Sequence, residues 1–444
     1  MISASGHSQE NMNLNRQLSF QEYLVAAVLL AVMLYVFQLM AANARFDDLH
    51  AIHWAGRFFE LGAAGIYAGS EGTFFMKPPD LWVETALSED ANRAIYPFIY
   101  PPIWAWISAQ AGQFISFEQM SGAFAWINPV LVCASWFLAI RIAGGNGSVG
   151  FYLVIAFVAS LASLVISLPL EEGQPQIIVS FLILAAIERD RAGRGTSAGL
   201  LLALAASIKL YPAIFAIFWL AAGRKQSVTA FLIFGAAFGL LSIAVAGWPL
   251  HQDFLAEVSA ISKTALLSFA NFSLDPLVIY LTTPESELIL VSTDITGGKA
   301  NWRIVEKPAE LRLFSGVVQA IALAALVAVA FKSKITDPMF WPLAFVVVAW
   351  LSPLSWVYHY MTAFVFLPAL IPRLGYFYGL SAIILATALT SSDIIQAIVN
   401  ATDSRGWIIP ISNFAIVMMG ALFIISLLRP EPPRTDLHPG AQRL

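Results

Sequence analysis

Apolar residues run along this chain in long blocks separated by short polar turns. The blocks cover 22–42, 121–140, 149–168, 174–187, 196–222, 227–247, 311–331, 338–352, 356–371, 374–390 and 407–428. About 20 helical residues cross ~30 Å of hydrocarbon, so the pattern predicts an all-α polytopic membrane protein. The first block is too long for a signal-peptide core and no small-residue cleavage pattern follows it, so it reads as a retained helix. The stretch 196–222 is long for one crossing and is interrupted by Lys209-Leu210-Tyr211-Pro212.

Composition narrows the class further. Of 444 residues, 59% are hydrophobic and 12% charged, against roughly 45–50% and about 25% in soluble domains. So little charge cannot cover a water-facing surface of this size, which excludes a soluble globular protein and a disordered chain. One cysteine, Cys133, excludes a disulfide scaffold. A net charge of −4 leaves no electrostatic footprint for nucleic acid.

Lys and Arg in the short loops set the expected direction of each crossing. The basic clusters are Arg141, Arg189/Arg191/Arg194, Arg224/Lys225, Lys332/Lys334, Arg373 and Arg429/Arg434. All become cytoplasmic if 196–222 is two short helices turning outside at Lys209 and Pro212. The segment after Tyr100-Pro101-Pro102 must then lie along the membrane. If 100–118 crosses instead, the next helices invert and Arg189–Arg194 fall outside. The first topology has twelve helices in one transmembrane domain, 22–428, with cytoplasmic tails 1–21 and 429–444. Its inner segments hold 13 Lys/Arg and 7 Asp/Glu, its outer ones 11 and 21. Two outer loops, 43–120 and 248–310, are long and aromatic, which suits the membrane interface. Helical spacing over 51–66 predicts an interfacial helix. No internal repeat or separate soluble domain is visible.

Candidate chemistry gathers near the outer ends. Asp47 and Asp48 follow the first helix. A close carboxylate pair raises one pKa and suits a general base, and it also suits the solvated end of a helix. His50 and His53 lie three apart, a spacing compatible with a metal, but no third strong ligand follows and no metal is expected. Lys209, inside an apolar stretch, is either a phosphate contact or a snorkelling side chain. Glu171-Glu172-Gly173-Gln174-Pro175-Gln176 precedes a short span. With 196–208 and 210–222 it implies a local dip in the outer surface, where a lipid phosphate and a polar acceptor meet at one depth. His359, among Trp356, Tyr358 and Tyr360, is a phosphate or proton-relay candidate, or a satisfied structural histidine. There is no P-loop, GxGxxG, GxSxG or HExxH, hence no visible nucleotide site. If a sugar is transferred, its activated donor is therefore expected to be lipid-borne.

In order, several blocks resemble the GT87 family of polytopic GT-C glycosyltransferases that use polyprenyl-phosphate-mannose. They are Asp48-Leu49 with Ala55-Gly56-Arg57, Gly62 and Tyr67; Tyr100-Pro101-Pro102; Gly173-Gln174; Ala198-Gly199 with Ile208-Lys209-Leu210-Tyr211-Pro212; Asn271-Phe272-Ser273-Leu274; and Ser352-Pro353-Leu354-Ser355-Trp356-Val357-Tyr358-His359. They span 47–359. Ile52, Gln176 and Tyr358 depart from the family pattern, at positions that bear on donor or acceptor choice.

The resemblance implies a GT-C-like bundle and an inverting transferase of the cytoplasmic membrane, its site facing the periplasm or exterior. Asp48 is then the general base, with Asp47 in reserve, and Lys209 and His359 receive the donor phosphate. Arg57, Tyr100, Gln174, Asn271 and Trp356 are the substrate-binding candidates. No cofactor is implied. The donor is a polyprenyl-phosphate sugar, mannose on the family's pattern, and the acceptor an envelope glycolipid or glycan. The competing class is a transporter or flippase of a lipid-linked or polar solute, which inverted repeats and midplane charges would favour. Release of polyprenyl phosphate from a sugar-charged lipid separates the two.

Overall fold

Two glycines fix how the 196–222 stretch folds. The structure, a computed structural model, describes residues 19–42, 44–67, 72–89, 94–144, 149–292, 301–332, 334–402 and 408–429. It places helices at Gly195–Ile208 and Lys225–Ala246. A Cβ on Gly195 would overlap Gln226, and one on Gly199 would overlap the Phe231 backbone nitrogen and Ala230. Residue 195 thus faces 226 and 199 faces 230–231, so the helices run parallel with their backbones touching. Parallel neighbours need a return segment, here the 3₁₀ turn Tyr211–Ile214 and the helix Phe215–Ala221. The stretch is a hairpin with its turn at Lys209-Leu210, and Pro212 suits the first turn of the returning helix.

The hairpin brings the basic flanks together. Arg141 pairs with Glu188 at 2.8 Å, and Glu188 also meets Arg189. Asp190 accepts from Ser227 at 2.5 Å and lies 3.6 Å from Arg224. Arg191 donates to the Thr336 carbonyl at 2.6 Å. Arg373 pairs with Asp337 at 2.9 Å and donates to the Arg429 carbonyl at 3.3 Å. The clusters at 141, 189–194, 224, 334–337, 373 and 429 therefore share one end of the bundle. Lys209 is at the other end. The tails 1–18 and 430–444, with Arg434, lie outside the described residues.

Long and short helices divide the work. Among the described residues, five helices are long and apolar enough to cross a membrane: Phe20–Ala42, Phe117–Ala143, Lys225–Ala246, Ala309–Phe331 and Ile408–Leu428. With each of two bent pairs counted as one crossing, the number is seven. They are Val149–Ala162 with Leu164–Glu171, bent by 64°, and Tyr376–Leu389 with Ser392–Ile398, bent by 66°. The protein is a multi-pass membrane protein. The expected twelve crossings are not reached by length alone, because the remaining runs form shorter helices, such as Gln176–Arg191, Gly195–Ile208 and Phe340–Trp350. At 1.5 Å per residue, 14 residues rise only ~21 Å. These short elements form the interior, and the run 357–374 is nearly all buried. Lys225–Ala246 and Ala309–Phe331 leave most of their apolar side chains exposed, as lipid-facing helices do.

The segments expected outside differ from the expectation in two ways, at 51–66 and in 248–310. The predicted 51–66 helix starts earlier, at Asp47, and ends at Arg57; a short helix, Ala63–Ile66, resumes after Gly62 at φ +64°. Residues 100–118 contain a helix of only ten residues, Pro102–Ala111, rising ~15 Å. Trp104 on it donates to the Ser207 carbonyl at 2.6 Å, which ties it to the Lys209 end. The 248–310 loop carries a small antiparallel sheet, so the fold is not wholly helical. Its strands are β1 (Thr264–Leu267), β2 (Ile289–Ser292) and β3 (Asn301–Glu306), in the order β1-β3-β2. A fully buried Lys307–Asp275 ion pair, with Ser315 donating to the same carboxylate, anchors the end of β3 to the Ala309–Phe331 helix. Breaking such a pair typically costs about 3–5 kcal/mol.

Single cysteines test the hairpin. In a Cys133→Ser background, Leu210→Cys and Lys225→Cys should react with an impermeant maleimide from opposite faces of sealed vesicles. Reaction of both from the same face would show that Lys209 does not mark a turn at the far end.

Candidate active site

The site begins where the segments 46–49 and 171–174 close on each other. Phe46 and Gly173 both adopt left-handed backbone, φ 55° and 64°. A Cβ on Gly173 would overlap the Phe46 ring, so only glycine permits this approach. The Phe46 amide donates to Glu171 O at 3.1 Å. The Asp48 and Leu49 amides donate to Glu172 O at 3.1 and 3.3 Å. Amides at the start of the Asp47–Arg57 helix, which lack intrahelical partners, are thus met by the 171–172 carbonyls.

Gln174 then joins the charged side chains. Its Nε2 donates to Asp48 Oδ2 at 2.6 Å and to the Tyr358 hydroxyl at 2.8 Å. Its Oε1 accepts from the Tyr100 hydroxyl at 3.2 Å and from Lys209 Nζ at 3.4 Å. The neighbours dictate the amide orientation: a carboxylate must face the NH₂ and an ammonium the carbonyl. Lys209 Nζ lies 3.3 Å from His359 Nε2, and 5.7 and 5.4 Å from the centres of the Tyr100 and Tyr358 rings. Those ring faces attract the cation and leave it few other partners. Asp48 and Lys209 are bridged by Gln174 rather than paired directly.

Burial pushes the Asp48 carboxyl up to about 7, with the Gln174 hydrogen bond and the Lys209 charge opposing and Asp47 adding to the rise. Burial, reinforced by Asp48 and Asp47, also holds Glu172 well above the usual carboxylate range. A carboxylate that titrates near neutrality is suited to take a proton from an alcohol.

These groups line a cavity of about 300 Å³. Asp48, Tyr100, Gln174, Lys209, Trp356 and His359 all lie on its wall. Apolar residues form most of the rest, among them Leu168, Phe254, Val258, Ile261 and Phe269. Lys209 is the one Lys or Arg among the described lining residues.

Three expected residues lie elsewhere. Asp47 is buried off the wall, 3.4 Å from Arg45. Arg57 lies on the outside of its helix, paired with Glu89 at 2.7 Å and over the Trp54 ring at 5.1 Å. Asn271 is a fully buried strut. It donates to Leu266 O at 2.7 Å and accepts from the Ser355 amide at 3.1 Å, which holds β1 and the 352–357 segment together. His50 and His53 stack on each other, 5.8 Å between ring centres, and His50 accepts from the Trp54 indole at 3.1 Å. Among the described residues no three His, Cys, Asp or Glu side chains form a metal-binding group.

Tyr96, Glu172, Tyr211 and Trp302 line the cavity without having been named as site candidates, although Glu172 and Tyr211 stand within segments that the sequence marked. Tyr211 has the clearest sequence signal, two residues past Lys209; its hydroxyl accepts from Gln176 at 2.6 Å. Glu172 is adjacent to Gly173-Gln174. Tyr96 and Trp302 carry no local signal.

A family model described as glycosyltransferase family 87 matches residues 98–355. That is more than half of the chain. The protein belongs to glycosyltransferase family 87. No curated protein is similar enough to count as a match. Membership makes it a membrane glycosyltransferase, with a sugar donor and an acceptor as substrates. The family 87 match contains Tyr100, Gln174 and Lys209, whereas Asp48 and His359 lie outside it and join the same wall only through folding.

A pH profile tests the bridge. If Asp48 acts as a base, transfer should rise with pH through an acidic limb near 7, as the carboxyl loses its proton. Gln174→Leu removes the hydrogen bond that favours the charged form, so the limb of kcat/KM should move to higher pH. An unmoved limb, or one moved to lower pH, would assign it to another group.

Proposed function

We propose that the protein is an inverting, polyprenyl-phosphate-sugar-dependent hexosyltransferase with a GT-C-like bundle of twelve crossings. The donor sugar is mannose and the acceptor an envelope glycolipid or glycan. The enzyme works in the cytoplasmic membrane with its cavity on the periplasmic or exterior side. One observation carries the reading: a half-buried carboxylate and a half-buried ammonium on the wall of one largely apolar cavity, spaced by a single amide. The gathering of the basic clusters at the opposite end supports the orientation, by the positive-inside bias.

In this reading Asp48 takes the proton of an acceptor hydroxyl. The freed oxygen attacks the anomeric carbon from the face opposite the lipid phosphate. The bond from that carbon to the phosphate oxygen breaks, and its electron pair leaves with the polyprenyl phosphate. Lys209, with His359 beside it, meets the charge that grows on the leaving phosphate, the kind of preorganised electrostatics that lowers such barriers. One ammonium suits a monophosphate leaving group better than the diphosphate of a nucleotide sugar. The Leu, Ile, Val and Phe side chains around the cavity suit a polyprenyl chain.

Asp48→Asn should lower transfer by about 10²–10⁴ with protein level maintained, the usual loss on removing a general base. If Asp47→Asn is the inactive variant instead, the role moves one residue upstream. Normal activity in the double variant would end this mechanism. Lys209→Ala should fall far more than Lys209→Arg, because charge matters more than shape at a point contact.

Transfer should also survive EDTA, since the leaving charge is met by side chains. Loss on chelation with recovery in Mg²⁺ or Mn²⁺ would show that the phosphate is held by a metal.

A further inference from the structure

Polar side chains on the cavity wall are mostly engaged. Asp48, Tyr100, Gln174, Lys209, Tyr358 and His359 all have hydrogen-bond partners. Glu172 is the carboxyl on this wall that is not. It lines the same cavity, its side chain has no hydrogen bond or ion pair among the described residues, and its Oε2 is shut off from solvent. The adjacent cation, Arg45, is paired with Asp47. A carboxyl oxygen shut off from solvent without a partner is costly, and near a membrane such a group marks function.

Main-chain geometry holds Glu172 close to the base. Its carbonyl accepts from the Asp48 amide at 3.1 Å, so the two carboxyl-bearing residues are fixed relative to each other. Trp302 and Trp356 form an aromatic wall of the same cavity, 5.0 Å between ring centres, with Tyr96 6.0 Å from Trp302. Such rings offer flat apolar faces to the C–H side of a sugar ring, while the carboxyls meet its hydroxyls.

We propose that Glu172 is an acceptor-binding residue. It holds a hydroxyl adjacent to the one that Asp48 deprotonates, so the acceptor presents the vicinal diol of a sugar ring rather than an isolated alcohol. This rests on the glycosyl-transfer reading with Asp48 as base. Glu172 exchanges no atom in the step; the proton goes to Asp48 and the leaving electron pair to the phosphate. The Glu172 carboxyl is a hydrogen-bond partner of that hydroxyl through its side-chain oxygens.

The test uses polyprenyl-phosphate mannose as donor and three acceptor probes. These are octyl α-mannopyranoside, its monodeoxy analogues lacking one hydroxyl each, and 1-octanol. The wild type should prefer the intact mannoside over at least one deoxy analogue by tenfold or more in kcat/KM, and over octanol by more. Glu172→Ala should raise the KM for octyl mannoside about tenfold and erase the preference over that analogue, while the KM for donor stays within about twofold. Glu172→Gln should retain part of the preference. If Glu172→Ala does not give a native gel-filtration profile, the comparison of wild type with Glu172→Gln decides.

An unchanged mannoside-to-deoxy ratio in the variants would overturn the assignment. So would equal use of octanol by the wild type, or donor cleavage by water with no mannoside ever accepted. If the wild type releases no polyprenyl phosphate with any probe or with water, the donor reading has failed, a result distinct from the failure of Glu172 alone.

Discussion

The Lys209 end of the molecule is organised around one side-chain amide facing a carboxylate on one atom and an ammonium on the other. Gln174 bonds Asp48 through its NH₂ and Lys209 through its carbonyl, with Tyr358 and Tyr100 completing the shell. Among the described residues neither charged group has an ion-pair partner, and both meet at the amide. Placing that amide requires Gly173 to turn in left-handed backbone against Phe46, and requires the Gln176–Arg191 helix to start at once beyond Pro175. It also requires the chain to reverse at Lys209. The local geometry of three separate segments is therefore tied to a single contact network.

A second constraint is the unequal length of the helices. Exposed helices of 21–27 residues surround interior ones of 11–16. Interior helices need not span the full hydrocarbon thickness, because protein covers them on their sides. Their early ends leave a recess at the Lys209 end, where polar groups are not forced into contact with lipid. The bends at Ser163 and Thr390 belong to the same arrangement. These residues join through their hydroxyls at 2.7 Å and through a Leu164 amide to Thr390 carbonyl bond at 2.8 Å, so the two kinked helix pairs brace each other. The opposite end carries the ion pairs of Glu188, Asp190 and Asp337 with Arg141, Arg224 and Arg373.

Parts of this were legible residue by residue. Apolar run length marked the helices, and the Lys and Arg positions predicted which loops share an end, because charge cannot remain in hydrocarbon and so reports which side a turn is on. Lys209-Leu210-Tyr211-Pro212 marked the hairpin, since a lysine and a proline together break a span. Asp48, Gln174, Lys209 and His359 were visible as polar residues in apolar surroundings within family-like blocks. The sheet was not visible, because strands of four to six residues within an aromatic loop show too little alternation to be told from interfacial helix.

What the sequence determined by itself is thus the class of the molecule, the apolar runs from which its helices form and the residue types available for chemistry, all set by local hydropathy and charge. Only tertiary structure decided who meets whom. Asp48 and His359 are more than three hundred positions apart, and no local rule brings them to one wall. Asn271 and Arg57 looked equally eligible in the chain, yet one is buried as a strut and the other faces outward to Glu89. Trp302 reaches the cavity because β3 is pinned by Lys307 and Asp275, a pair thirty-two residues apart. Those outcomes depend on packing between distant segments, and such contacts leave no periodicity in a single sequence.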